Sequence, residues 1–306
     1  MISNSKNIRL LQIVQVAEPG AESSDPISVS GPERMLKRMM PNWGRHKITP
    51  IIIYPDYGVD WDYYNDTKYC QIVNLGISKI FSFKVVSNLV KITRQNRIDV
   101  IHTNGQPIDF LGLCISLLLK IPLVVTKHVT ISEYDYLGYG FKDGAKRILY
   151  WLMDTISMTF SGKVIAISHV GKIQLQNRYL VPKNRIISII NGININNFPA
   201  KKFVNHGSPL VIGFVGRVDK NKGVGDFLRV IKNLISMGHN IRAKIVGGGP
   251  DEMEFKQLAD ELSLNDIVQF DGLQENISRY LLSMDIFLFP SYREGLPLVI
   301  LEAMAT

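Results

Sequence analysis

Short Ile- and Val-rich runs, apolar on both faces, alternate along this chain with longer segments of helical period. A strand that is apolar on both faces must be covered on both, and the cover comes from the helices that link parallel neighbours. The pattern predicts an α/β fold of doubly wound parallel sheets. Strands are expected at 8–16, 47–54, 99–102, 123–126, 163–167 and 186–190, with helices at 32–40, 84–96, 108–119, 143–157 and 170–179. A second series places strands at 210–215, 243–246, 267–270 and 286–289, and helices at 223–237, 251–262, 277–283 and 297–304. Between the series, residues 194–208 hold Pro, Gly and polar side chains without a sustained period and read as a linker. For 306 residues the expectation is two domains, 1–200 and 201–306. The second is expected to be incomplete, because the pattern stops at Thr306 inside a helix after only four strands.

Composition narrows the function classes. An apolar share of 46% excludes disorder as the main state. Two cysteines, Cys70 and Cys114, cannot build a disulfide framework or a zinc cage, which points to a reducing cytoplasm and no metal centre. The most apolar stretch, 110–125, is interrupted by Lys120 and Pro122, short of the roughly 20 residues a spanning helix needs. The N-terminus runs into a strand pattern without the regions of a signal peptide. Charge is uneven: residues 1–205 carry 25 basic and 14 acidic side chains, residues 206–306 carry 10 and 13. The bases are scattered and form no reader motif, so nucleic acid is not expected. A diffuse basic face suits an anionic membrane surface, and it equally serves as solubilising charge.

Ligands of open parallel sheets bind beyond the carboxyl ends of the strands, so the turns after strands are where chemistry is sought. In PSYREGLPLVILEAMAT (290–306), Glu294 falls in the turn after a strand and Glu302 within the following helix, where Pro297 is placed as first residue. Two carboxylates suit vicinal hydroxyls of a sugar, although alone they also read as a loop charge and a solvated helix face. In GFVGRVDKNKGVG (213–225), Arg217 and Lys222 share a strand-to-helix turn, where a guanidinium fork and an ammonium suit a diphosphate; a solvated basic turn is the alternative. VGGGP (246–250), with Gly248 at its centre, allows close backbone approach to a ligand or simply a tight connection. Ser30-Gly31-Pro32 precedes a helix and is an anion site or an ordinary cap. His128 and, more weakly, His102 follow strands at the functional edge, while His169 reads as capping or surface chemistry.

In order and spacing these segments resemble the retaining glycosyltransferases of family 4. The resemblance rests on EGLPLVILEAMA (294–305), which carries the Glu-x7-Glu signature, with VGRVDKNKG (215–223), VGGGP, IINGIN (189–194), VIAIS (164–168) and GPERMLKRM (31–39). It implies the GT-B architecture of two Rossmann-like domains around a cleft, a nucleoside-diphosphate sugar as donor, and a saccharide or lipid-linked acceptor in surface polysaccharide or lipopolysaccharide assembly. It implies no cofactor and no metal. By position, Arg217 and Lys222 match the donor-diphosphate grip, Glu302 the ribose carboxylate, Glu294 the residue that orients the donor sugar, and Gly31 the N-terminal glycine turn. His128 matches a histidine near the reaction centre; Gly248, Gly295 and Leu296 fall in the matched donor motifs. Ser30 stands where the family's first glycine usually does. An early stop at Thr306 would leave Leu298, Leu301 and Met304 uncovered and activity low. The other readings are a nicotinamide- or flavin-dependent oxidoreductase, opposed by the missing G-x-G-x-x-G after the first strand, and a nucleotide-binding remnant.

Overall fold

The computed structural model describes residues 7–14, 39, 43, 48–54, 71–74, 82–105, 108–128, 144–179, 181–201, 209–292 and 294–306. The chain divides into two units, the first reaching Asn191 and the second running from Gly192 to Thr306.

The first unit contains β1 (Ile8–Val14), β2 (Ile48–Tyr54), β3 (Gln71–Asn74), α1 (Phe83–Gln95), β4 (Val100–Asn104), α2 (Ile108–Leu119), β5 (Leu123–Lys127), α3 (Gly144–Phe160), β6 (Lys163–Ala166), α4 (His169–Arg178) and β7 (Ile186–Ser188). Its sheet is parallel throughout, in the order β3-β2-β1-β4-β5-β6-β7. The order reverses between β1 and β4, which is the switch point of a doubly wound sheet. Leu11, Ile13, Ile101, Val125 and Val164 are essentially inaccessible at its centre. Helix α1 lays Val85 and Leu89 on this core at one-turn spacing and starts at Ser82, whose hydroxyl accepts from Val85 N at 3.2 Å.

The second unit contains β8 (Leu210–Val215), α5 (Val224–Ser236), β9 (Ile241–Val246), α6 (Glu252–Glu261), β10 (Val268–Gly272), α7 (Ser278–Leu282), β11 (Ile286–Phe287) and α8 (Leu298–Ala305). Its sheet is parallel in the order β10-β9-β8-β11. Helix α5 buries Val224, Phe227, Leu228 and Ile231, the i, i+3, i+4, i+7 stripe of a helix packed on a sheet. The expected α/β class with two doubly wound parallel sheets is thus what the chain forms.

Three expectations are corrected. Strand β3 was not predicted: its four residues, QIVN, are too short to display a period. Strand β11 spans two residues rather than 286–289; Leu288 N still reaches Gly213 O at 2.9 Å, but Pro290 has no N–H to extend the ladder. The stretch read as linker is in part structural. Phe198 is buried with Val215, Val246, Leu281 and Met284, and Lys201 Nζ meets Asp285 Oδ1 at 2.7 Å, so residues 192–201 pack on the second unit. The predicted helix at 32–40 lies almost wholly outside the described residues, and Gly31 lies outside them.

Candidate active site

In the second unit the turns after β8, β9 and β11 are laced together. Gly216 N donates to Val246 O at 2.9 Å, and Val218 N to Gly248 O at 3.0 Å. A Cβ on Gly247, at φ +135°, would lie 1.9 Å from Gly216 O, and one on Gly249 would lie 2.2 Å from Val218 O. Two of the three glycines of VGGGP therefore let one turn rest on the other's backbone. A Cβ on Gly248 would meet side chains instead, Leu273 carbon at 3.3 Å and Glu252 Oε2 at 3.7 Å.

Asp219 organises the basic turn. Its Oδ1 accepts from Lys222 N at 3.0 Å, capping the 3-10 turn Lys220–Lys222, and its Oδ2 meets Arg217 Nε at 2.9 Å. The next residue, Gly223, sits at φ +72°, where a Cβ would be 2.1 Å from Pro290 O. Tyr292 N donates to Asn221 O at 3.0 Å, and the Tyr292 hydroxyl donates to Asp226. These bonds bring the loop after β11 against the turn after β8. There Lys222 Nζ meets Glu294 Oε1 at 2.6 Å, and Ser291 Oγ donates to the same oxygen at 2.8 Å.

The predicted residues thus fall into two groups. Lys222 and Glu294, 72 positions apart, form a half-buried ion pair. Arg217 turns to Asp219 instead, with its side chain 53% exposed. Glu302 is 2% exposed, the buried residue of α8, so it is held inside the unit rather than presented to solvent. Gly295 and Leu296 are half-buried beside Glu294. Pro297 has extended backbone and caps α8 rather than starting it. Met304 is exposed as expected, but Leu298 and Leu301 are half-buried.

Gly223→Ala is expected to destabilise the second unit by more than about 1 kcal/mol, since left-handed backbone alone costs a side-chain-bearing residue that much and the new methyl strikes the Pro290 carbonyl. Thermal denaturation checks this; an unchanged midpoint contradicts it.

In the first unit, His128 follows β5, with Nε2 3.4 Å from Asn104 Oδ1, and His102 in β4 has Nε2 2.7 Å from Thr126 Oγ1. Burial, reinforced by Lys127, lowers the His128 pKa to about 4; burial, reinforced by His128, lowers that of His102 to about 4. His169 is exposed at the start of α4, and the cap is Ser168, whose Oγ accepts from Gly171 N at 3.0 Å. Between about pH 4 and 6.5 the unfolded chain binds more protons than the folded one, so stability falls as pH drops through that window and is intact above it. His102→Gln is expected to flatten this dependence, read as the urea midpoint at about pH 4.5 against about pH 7. A slope equal to the parent's contradicts the assignment.

Beside His128 lies a cluster that motif reading missed. Lys127 Nζ is 2.6 Å from both Asp109 Oδ2 and Asp154 Oδ1, and the three side chains are 10%, 0% and 7% exposed. Burial pushes Lys127 down, but the two carboxylates outweigh it and hold the ammonium well above its ordinary value. Burial pushes the Asp109 carboxyl up, and Lys127 offsets only part of that. The signal was available: each of the three is a lone charge in an apolar run.

The comparisons with known proteins bear on this arrangement. A model described as Glycosyltransferase Family 4 matches residues 29–197, and one described as Glycosyl transferases group 1 matches residues 196–306. The chain belongs to glycosyltransferase family 4. An uncharacterized glycosyltransferase of Haemophilus influenzae is 28% identical over 223 residues, covering 73% of this family-4 chain and 59% of the relative. The capsular polysaccharide biosynthesis glycosyltransferase CapM of Staphylococcus aureus is 30% identical over 178 residues, 53% of this chain and 46% of its own. The chain therefore spans about half the length of these curated relatives. Among solved structures, HepE of Anabaena in complex with UDP and glucose superposes with a TM-score of 0.75 at 17% identity, over 96% of this chain and 78% of HepE. This likeness extends to the fold, GT-B with two Rossmann-like domains.

Proposed function

We propose that this family-4 chain transfers a glycosyl group, with retention of configuration, from a nucleoside-diphosphate sugar to a saccharide or lipid-linked acceptor in surface polysaccharide assembly. The observation that carries the reading is the Lys222–Glu294 pair at the carboxyl ends of β8 and β11. Breaking the bond between sugar and diphosphate builds negative charge on the leaving oxygens and positive character on the sugar ring. The Lys222 ammonium has three donors; one engages Glu294, and the others suit phosphate oxygens. Among the described residues both bonds to Glu294 fall on Oε1, which leaves Oε2 for sugar hydroxyls. Arg217, exposed and reached through Asp219, adds a second cation. Charge held in place before the reaction costs no reorganisation when the bond breaks. In a front-face course the acceptor oxygen bonds to the anomeric carbon on the side from which the diphosphate leaves, and the departing phosphate takes the acceptor's proton. In this reading Gly248, Gly295, Leu296 and Glu302 of the second unit bind the donor, and of the first unit His128 takes the catalytic and Gly31 the donor-phosphate role that the family resemblance implies. CapM, named for capsular polysaccharide biosynthesis, supports the pathway class, and the complex of HepE with UDP and glucose supports the donor class.

Thermal midpoints with UDP-, GDP-, ADP- and CMP-sugars test this, because a ligand of the folded state raises the midpoint by mass action. One donor class is expected to raise it and to release its nucleoside diphosphate when acceptor is added, with no cofactor or metal supplied. A shift with neither transfer nor hydrolysis would leave a nucleotide-binding module; no shift with any donor contradicts the reading.

A further inference from the structure

The buried side of helix α3 carries Asp154, Thr155 and Ser157 beside Met158, the hydroxyls bonded to carbonyls one turn earlier and the carboxylate to Lys127. Its exposed side carries Ile148, Leu149, Leu152, Ile156 and Phe160, which are 61%, 54%, 42%, 39% and 62% accessible. Positions 148, 152, 156 and 160 recur every four residues, so they form one stripe along the helix. The neighbouring helix α2 adds exposed Leu117 and Leu118 near its C-terminus. Both helices run back between parallel strands, so their C-terminal ends lie at the same edge of the sheet. Trp151, 37% exposed, stacks on Tyr179 at the end of α4 with ring centroids 6.4 Å apart.

Among the described side chains of residues 148–191, five are Lys or Arg and one is an acid, Asp154, which is buried on Lys127. Lys163, Arg178 and Lys183 are exposed. We propose that the α2–α3 face docks the chain on an anionic lipid bilayer, with the Ile148–Phe160 stripe entering the headgroup boundary and the surrounding cations meeting lipid phosphates. A large apolar stripe with a basic surround is what interfacial binding requires. A second copy is the poorer occupant, because a face-to-face dimer would set one basic rim against the other. Among the described residues no helix is long and apolar enough to cross a membrane. The inference stands independently of the donor site.

Sedimentation with phosphatidylcholine vesicles, with and without phosphatidylglycerol, tests it. The full chain is expected to bind the anionic vesicles more tightly, and less tightly as salt rises. Leu149→Ser/Leu152→Ser/Phe160→Ser should weaken that binding about tenfold or more while keeping the thermal midpoint, since all three side chains face solvent. Arg178→Glu/Lys183→Glu should weaken it at low salt only, and Met237→Ser/Met253→Ser, exposed apolar positions of the second unit, should not change it. Donor-induced stabilisation is expected to survive in every variant. Absence of vesicle binding, a triple-serine variant that binds like the parent, or a dimer dissolved by the serines without vesicle binding overturns the proposal.

Discussion

Lys222→Ala is expected to lower glycosyl transfer by about two to three orders of magnitude, the usual loss when one preorganised donor to a developing anion is removed. The same substitution should cost the fold little. Lys222 and Glu294 are a quarter and a fifth exposed, and pairs open to solvent contribute about 0–1 kcal/mol. Glu294→Gln keeps the shape and a hydrogen-bond acceptor but removes the charge that holds the ammonium, so a comparable loss is expected. Rates measured under saturating donor, beside the thermal midpoints, separate the two effects. A variant that retains parent activity contradicts the assignment. So does one whose activity falls only in step with unfolding.

Lys127→Met is expected to have the largest effect on stability. It leaves Asp109 and Asp154, 0% and 7% exposed, without their cation, and breaking a buried pair in this way costs about 3–5 kcal/mol. The triple variant Lys127→Met/Asp109→Leu/Asp154→Leu should recover most of that loss, because an apolar replacement of a whole buried cluster removes the desolvation cost along with the attraction. Urea denaturation followed in the first unit measures both. A loss below about 1 kcal/mol in the single variant, or no recovery in the triple, would mean the cluster is solvated and of little weight.

Much of this architecture was legible from residue order. Helix 108–119 and strand 210–215 were read with the bounds the structure shows, because their apolar periods are long and uninterrupted. Lys222 and Glu294 were found by the rule that ligands gather beyond strand ends, and the structure joins them. What escaped was decided by tertiary contact. VGGGP was read as close approach to a ligand or a tight connection; at Gly247 and Gly249 the connection decides, through carbonyls of a turn some thirty residues earlier. The Lys127 cluster draws on β5, α2 and α3, and no local window contains its members. The exposed apolar stripe of α3 hides for a related reason. Its period is that of any amphipathic helix, and the inner side is fixed by contacts to other elements, the Lys127 pair and the core around Met158.

The central claim is that Lys222 and Glu294 hold an activated sugar by its diphosphate and its hydroxyls. It is tested most directly by a crystal structure of the chain with the nucleoside-diphosphate sugar that most raises its midpoint. The account predicts a diphosphate oxygen within about 3 Å of Lys222 Nζ and a sugar hydroxyl at the same distance from a Glu294 carboxylate oxygen. A donor seated where neither side chain touches it would contradict the account.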